Sequence, residues 1–229
     1  MRYEAILFDK DGTLFDFEAT WGLWAQAFLL RLTDGDAARA ERLGRAIGYD
    51  MGENRFEPDS VVIANTPFEI VTVLEPHAPG LSRAALLDLL NGEAERAAQV
   101  EAVPLAAFLG GLRDRGLRLG VATNDAEAPA KAHLGAAGIR DMFDFVAGYD
   151  SGHGSKPGPG QLLAFADHVG ADPARVVMVG DSTHDLVAGR AAGMATVGVL
   201  TGVASQADLA PLADVVLPDI GHLPGWLAA

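Results

Sequence analysis

The sequence predicts an α/β protein: a doubly wound, mostly parallel sheet of the Rossmann type, with an all-helical domain inserted into it. Three observations carry this. From Pro104 onward, short apolar runs alternate with helical stretches, the order expected of strands and helices around a sheet covered on both faces. Four helical segments sit together between the first apolar run and the rest, with no convincing strand among them. Polar residues fall at the carboxyl ends of the apolar runs, where open parallel sheets bind ligands. On this reading residues 1–16 and 99–229 form the α/β core, and residues 17–98 form the helical insertion.

The elements follow in order. Ala5-Ile6-Leu7-Phe8 is a continuous apolar run that stops at Asp9-Lys10-Asp11-Gly12, the pattern of a strand buried on both faces. From Phe17 to Leu32 the apolar residues Trp21, Trp24, Phe28 and Leu32 recur at helical spacing, and both tryptophans read as core of the insertion. Further helices are predicted over Asp36–Gly48, Asp59–Leu74 and Ser82–Val100, with Pro67 kinking or ending the second of these three. Beyond Pro104 the expected helices are Leu105–Arg115, Ala126–Ala137, Gly160–Val169 and His184–Ala192. The expected strands are Leu117–Ala122, Phe143–Ala147, Val176–Val179, Thr196–Leu200 and Val215–Leu217. Glycine or proline punctuates most of these ends.

Composition narrows the function classes. The 229 residues carry 17 Lys plus Arg against 31 Asp plus Glu, a net charge of −14, which argues against a broad nucleic-acid-binding face. Apolar residues make up 49% and charged residues 21%, ordinary globular usage, so wholesale disorder is unexpected. With no cysteine there is no disulfide framework, no thiolate metal site and no thiol nucleophile. The start, Met1-Arg2-Tyr3-Glu4, lacks a secretory pattern, and no apolar stretch is long enough for a bilayer, so a cytoplasmic protein without a membrane partner is expected. The six histidines show no metal-ligand spacing; only His153 and His184 are candidates for the rim of a site.

The strand ends hold the chemistry. The first run ends in Asp9-Lys10-Asp11-Gly12-Thr13 and the second in Thr123-Asn124-Asp125. Ser155-Lys156-Pro157 follows the third, and Gly180-Asp181-Ser182-Thr183-His184-Asp185 ends the fourth. Folding would bring four carboxylates, a hydroxyl and an ammonium into one crevice. Several carboxylates so close repel one another, and a hard divalent cation with oxygen ligands is the natural compensation. A carboxylate can also attack phosphorus, giving an acyl phosphate that water hydrolyses.

Asp9-x-Asp11-Gly12-Thr13-Leu14, Thr123-Asn124, Lys156-Pro157 and Gly180-Asp181-Ser182-x-x-Asp185, in that order, resemble the four signature motifs of the haloacid dehalogenase superfamily. The helical insertion stands where that family places its helical cap. The resemblance implies that Asp9 is the nucleophile and Asp11 the general acid and base. It implies that Thr123, with the Asn124 backbone, binds a phosphoryl oxygen, and that Lys156 pairs with nucleophile and phosphate. It further implies Mg²⁺ held by Asp9, Asp11 through its carbonyl and Asp181, with Asp185 holding metal-bound water or orienting Lys156. Gly12 lets the chain turn just past the two aspartates and joins the substrate-binding set. Arg55, in a loop of the insertion, is a candidate to hold a substrate carboxylate, with a solvated arginine as the plainer reading.

Within the superfamily it resembles, an aspartate at position 11 implies phosphate esters rather than carbon–halogen bonds. Gly12-Thr13 with a helical cap resembles the phosphoglycolate phosphatase-like group. The expectation is an Mg²⁺-dependent phosphatase acting on a small phosphorylated metabolite. A phosphomutase acting on a sugar phosphate and a non-catalytic binding protein of the same fold stand as alternatives. Lys10 departs from the apolar residue commoner between the two aspartates, which weakens assignment to any one substrate. The cap is expected to open and close about hinges near Asp16–Glu18 and Glu101–Pro104.

Overall fold

In the computed structural model, which describes residues 2–229, the apolar run Ala5–Phe8 is strand β1, buried along its whole length. Residue 1, where the expected core segment begins, lies outside the described residues. Strand β1 pairs in parallel with β4 (Arg118–Ala122) on one side and with β6 (Val176–Gly180) on the other. Beyond them lie β5 (Phe145–Ala147), β7 (Ala195–Val199) and β8 (Val215–Leu217). Among the described residues these six strands form one sheet in the order β5-β4-β1-β6-β7-β8, all parallel. The chain thus winds outward from β1 in both directions, and the crevice for a ligand opens at the carboxyl ends of β1, β4 and β6.

Strand alternation distributes the core between the two faces of the sheet. Ile6, Phe8, Leu119, Val121, Val177 and Val179 pack with Leu105, Leu109 and Leu112 of helix α5 (Leu105–Asp114). Ala5, Leu7 and Met178 pack with Leu162 and Phe165 of α7 (Gly160–Val169) and Ala188 and Ala192 of α8 (Thr183–Ala192). Both faces being covered is why these strands read as unbroken apolar runs.

Residues between β1 and α5 bury an apolar cluster of their own. Helices α1 (Phe17–Leu32), α2 (Ala37–Ala46), α3 (Pro67–Leu74) and α4 (Arg83–Ala94) converge on Trp24, Phe28, Leu29, Leu74, Leu86 and Leu90. The two chain segments that join this cluster to the sheet run side by side. The Asp16 N–H donates to the Val100 carbonyl at 2.8 Å, and the Ala102 N–H to the Leu14 carbonyl at 2.9 Å.

Three expectations are corrected here. Pro67 does not kink or end a helix but opens one: Thr66 caps α3 reciprocally with Glu69, and proline at the first turn lacks only an N–H that would be unpaired anyway. The expected helix over Asp59–Leu74 is therefore half as long, and the one over Ser82–Val100 stops at Ala94. A short antiparallel hairpin, β2 (Tyr49–Asp50) and β3 (Arg55–Phe56), stands where no strand was expected. Two residues per strand are too few for any periodicity to show; packing fixes it, with the buried Tyr49 hydroxyl donating to the Gly22 carbonyl at 2.8 Å. The remaining elements match to within one or two residues at each end, and among the described residues no helix is long and apolar enough to cross a membrane.

Candidate active site

Asp9 follows the last residue of β1, and its N–H continues the ladder to the Val179 carbonyl at 2.8 Å. Asp181 follows the end of β6, and Asp185 lies in the first turn of α8. Register alone therefore brings together residues far apart in sequence, and the carboxylates of Asp9, Asp181 and Asp185 each place an oxygen within 4.8 Å of the others. Lys156 arrives from the loop after β5 and donates to Asp9 at 2.7 Å and to Asp185 at 2.6 Å. The other Asp185 oxygen accepts from the Ser182 N–H and hydroxyl, the cap of α8. Both Asp185 oxygens are thus engaged by the protein, one of them by Lys156.

Thr123 follows the end of β4. Its hydroxyl oxygen accepts from the Asp125 N–H at 3.0 Å, which leaves the hydroxyl proton to be given to a ligand. Asn124 uses its side chain structurally: the amide donates to the Ala64 and Lys156 carbonyls at 2.7 and 2.8 Å, and its oxygen accepts from the Lys156 N–H. Gly12 has φ +77, and a Cβ there would overlap the Asp181 carboxylate; its own N–H is taken by the Phe15 carbonyl at 2.7 Å. Gly12 thus makes room for Asp181 and is no donor to substrate, a correction to its place in the substrate-binding set. Gly202, after β7, does the same from the opposite side, since a Cβ there would also overlap Asp181. Nothing in the sequence singled it out.

The larger surprise is Lys10. This side chain is 0% exposed and its ammonium meets Asp11 at 2.8 Å, the Nδ1 of His133 at 3.0 Å and Asp125 at 3.3 Å. The ring of Trp21 lies 5.3 Å away, within cation–π range. His133, on helix α6 (Glu127–Ala136), has its Nε2 at 2.7 Å from the Ala94 carbonyl at the end of α4. A carbonyl only accepts, so Nε2 carries the proton and Nδ1 is free to accept from Lys10. Burial, then the Lys10 charge, hold the His133 imidazole neutral, with its pKa lowered to about 4. Burial works against charge on Lys10 too, but Asp11 and Asp125 outweigh it and its pKa is raised. Lys10 was expected only to weaken assignment to any one substrate; its burial and its contacts with His133 and Asp125 depend on residues distant in the chain.

One cavity joins these groups to the helical insertion. Asp9, Asp11, Thr123, Asn124, Lys156 and Asp181 line its base, and about 660 Å³ lies within it, including its open mouth. Trp21 and Trp24 line the opposite wall while also packing in the insertion's core, so they are wall and core at once. His184 reaches the cavity, its Nδ1 at 3.1 Å from the Ala64 carbonyl. His153 instead lies beside the Phe145 ring, 6.1 Å between centroids. Arg55 is exposed on the β2–β3 hairpin and does not line the cavity; alternation along β3 turns Phe56 inward and Arg55 out, which removes the expected carboxylate clamp.

The electrostatics of the base call for a cation. Burial, then Asp185 and Asp11, push the Asp9 carboxyl up to about 7 despite Lys156. Burial and then Asp9 and Asp185 drive Asp181 well above the usual carboxylate range, with Thr13 donating to it at 3.1 Å. One ammonium thus pairs with only two of the three buried carboxylates, Asp9 and Asp185, and every donor in the cluster is oxygen. That set fits a hard divalent metal ion and would suit no soft one.

The chain is similar to known proteins in sequence and in fold. The family model described as haloacid dehalogenase-like hydrolase matches residues 3–193. The protein named "Probable phosphatase IndB" of Dickeya dadantii is 35% identical over 211 residues, covering 86% of this chain and 81% of that protein. The phosphoglycolate phosphatase of Rhodospirillum rubrum is 40% identical over 123 residues, 53% of this chain and 50% of that protein, so the chain matches only half of that relative's length. Among solved structures, CbbY from Rhodobacter sphaeroides in complex with phosphate superposes with a TM-score of 0.73 at 20% identity, over 96% of each chain. The HAD phosphatase from Thermococcus onnurineus does so at 0.65 and 24% identity, over 98% of this chain and 97% of that one. At such identities these structures speak for a shared fold.

Proposed function

We propose, for a chain that belongs to the haloacid dehalogenase-like hydrolases and is a phosphatase of that family, that it hydrolyses small phosphate monoesters with Mg²⁺ by way of a phosphorylated Asp9. The observation that carries this reading is the buried pairing of Asp9 with Lys156 at 2.7 Å, beside Asp181, at the base of a cavity that also exposes Asp11 and Thr123.

In this reading an Asp9 oxygen attacks phosphorus while the ester bond breaks, and the electron pair leaves on the alcohol oxygen. Asp11 supplies the proton that oxygen takes up. Asp11 then removes a proton from water as the water oxygen attacks the phosphorus, releasing phosphate and restoring Asp9. The Thr123 hydroxyl and the Lys156 ammonium donate to phosphoryl oxygens, and Lys156 also lessens the repulsion between phosphate and Asp9. Mg²⁺, held by Asp9, Asp181 and the Asp11 carbonyl, would neutralise charge on the phosphoryl group when bound. The residues of the insertion, 17–98, would close the cavity from bulk water over the hinge segments Asp16–Glu18 and Glu101–Pro104.

The test is release of inorganic phosphate from a generic monoester such as 4-nitrophenyl phosphate. Turnover should require added Mg²⁺, vanish with a chelator, and be absent in Asp9→Asn with the circular dichroism spectrum unchanged. Full activity in Asp9→Asn, or in chelator, would overturn the mechanism.

A further inference from the structure

The cavity is asymmetric in a way that bears on the substrate. Its base holds all its charge, whereas the wall contributed by residues 17–98 is built from Phe17, Trp21, Trp24, Ile63, Ile70 and Leu90. Among the described residues of that segment, Asn65 is the one polar side chain lining the cavity. The nearby Ala64 carbonyl already accepts from Asn124 and faces His184. None of the segment's seven arginines lines the cavity: Arg31 and Arg96 pair with Glu93, Arg45 with Glu41 and Arg83 with Glu75, Arg42 and Arg55 are exposed, and Arg39 lies on α2 away from it.

A second anionic group on the substrate would therefore meet no cation at this wall, and its burial would go uncompensated. A polyol would leave most of its hydroxyls unpaired there. An apolar group, by contrast, gains from the same burial. The aromatic arrangement suits a ring: Trp21 and Trp24 meet edge to face, 5.0 Å between centroids at 85°.

We propose that the alcohol portion of the substrate is uncharged, apolar and ring-bearing, seated against Trp21 and Trp24 while Lys156 and Thr123 hold the phosphate. This rests on the reading of the site as a phosphomonoester phosphatase, and departs from the substrate in the names of the phosphoglycolate phosphatases. The reaction is unchanged: the phosphorus–oxygen bond breaks, water supplies the new oxygen, and the ring alcohol leaves protonated.

The experiment compares kcat/KM with Mg²⁺ for benzyl phosphate, 2-phosphoglycolate and glucose 6-phosphate. All three are esters of primary alcohols, so the basicity of the leaving oxygen does not decide the order. Benzyl phosphate should exceed both others by at least about ten-fold, the scale on which apolar pockets discriminate. Equal or better turnover of either polar ester overturns the inference and leaves the phosphatase reading standing. Phosphate release from none of the three overturns that reading and the inference with it. Ile63→Arg, at a half-buried position on the wall, should shift the ratio toward 2-phosphoglycolate; an unchanged ratio in a folded variant would show that this wall does not meet the substrate, and counts against the proposal.

Discussion

Two lysines are buried beside the same loop, one on each side of the Asp9–Asp11 pair. Lys156 holds Asp9 and Asp185; Lys10 holds Asp11 and Asp125. Each is an ammonium shared between two carboxylates, yet their surroundings differ. Lys156 lines the cavity and is placed to meet a phosphate, whereas Lys10 is closed off by Trp21 and His133 and touches no space a substrate could enter. On the proposed mechanism the first lysine meets the phosphate, and the second fixes Asp11, the carboxylate assigned the proton transfers. Lys10 also joins the two parts of the molecule, since Trp21 belongs to α1 and His133 is tied to the end of α4. The comparison teaches that burial and charge pairing do not define a role. Access to the cavity does.

The largest effect should come from Lys156→Met, with kcat lowered about 10³-fold or more, the scale for a lost donor to developing charge. A loss under ten-fold in a variant that keeps its circular dichroism spectrum would remove Lys156 from the reacting set. Lys10→Met should act more weakly and differently. Asp11 would lose the partner that sets its orientation, and a misplaced group of this kind lowers kcat about 10²-fold with KM little changed. Because Asp125 would also lose its partner, Lys10→Met combined with Asp125→Asn is the control for stability. A change confined to KM would place Lys10 in substrate binding and dissolve the contrast with Lys156.

Gly202→Ala tests the other side of the base. The added methyl must displace the Asp181 carboxylate, so half-maximal activity should need about ten-fold more Mg²⁺, comparable to loss of a group that orients a metal ligand. An unaltered Mg²⁺ titration would show that Asp181 does not depend on this fit.

The last effect concerns the pH dependence of stability rather than turnover. His133 is neutral when folded, its pKa lowered to about 4, and faces Lys10, with Asp11 and Asp125 beyond it. Unfolding restores the ordinary value near 6.5, so the unfolded chain binds the extra proton between these two values. The stabilising contribution is complete above about pH 6.5 and is lost as pH falls toward 4, about 3 kcal/mol across the window. Urea unfolding of the wild type should therefore weaken more steeply over this range than that of His133→Gln. Parallel pH profiles would contradict the neutral buried imidazole.

How much of this was legible varies with the kind of interaction. Strands β1 and β6 were plain because a strand buried on both faces leaves an unbroken apolar run, and the residues after them could be named from the run's end alone. The hairpin at Tyr49–Phe56 and the start of α3 at Pro67 were not, because packing and a reciprocal cap decide them rather than periodicity. Arg55 was named for what an arginine can do, and the pleat of a two-residue strand turned it away from the cavity.

By itself the sequence determined which groups stand at the strand ends: a doubly wound order of elements, with Asp9, Asp11, Thr123, Lys156 and Asp181 at their carboxyl termini. Local patterning is enough for that, since strand length and breakpoints are properties of neighbouring residues. Tertiary structure alone decided which carboxylates each lysine holds, that Gly202 makes space for Asp181, and that the cavity wall contributed by residues 17–98 is apolar. These depend on residues distant in the chain meeting at ångström range, and the energy of a buried charge is set by those neighbours rather than by its own type.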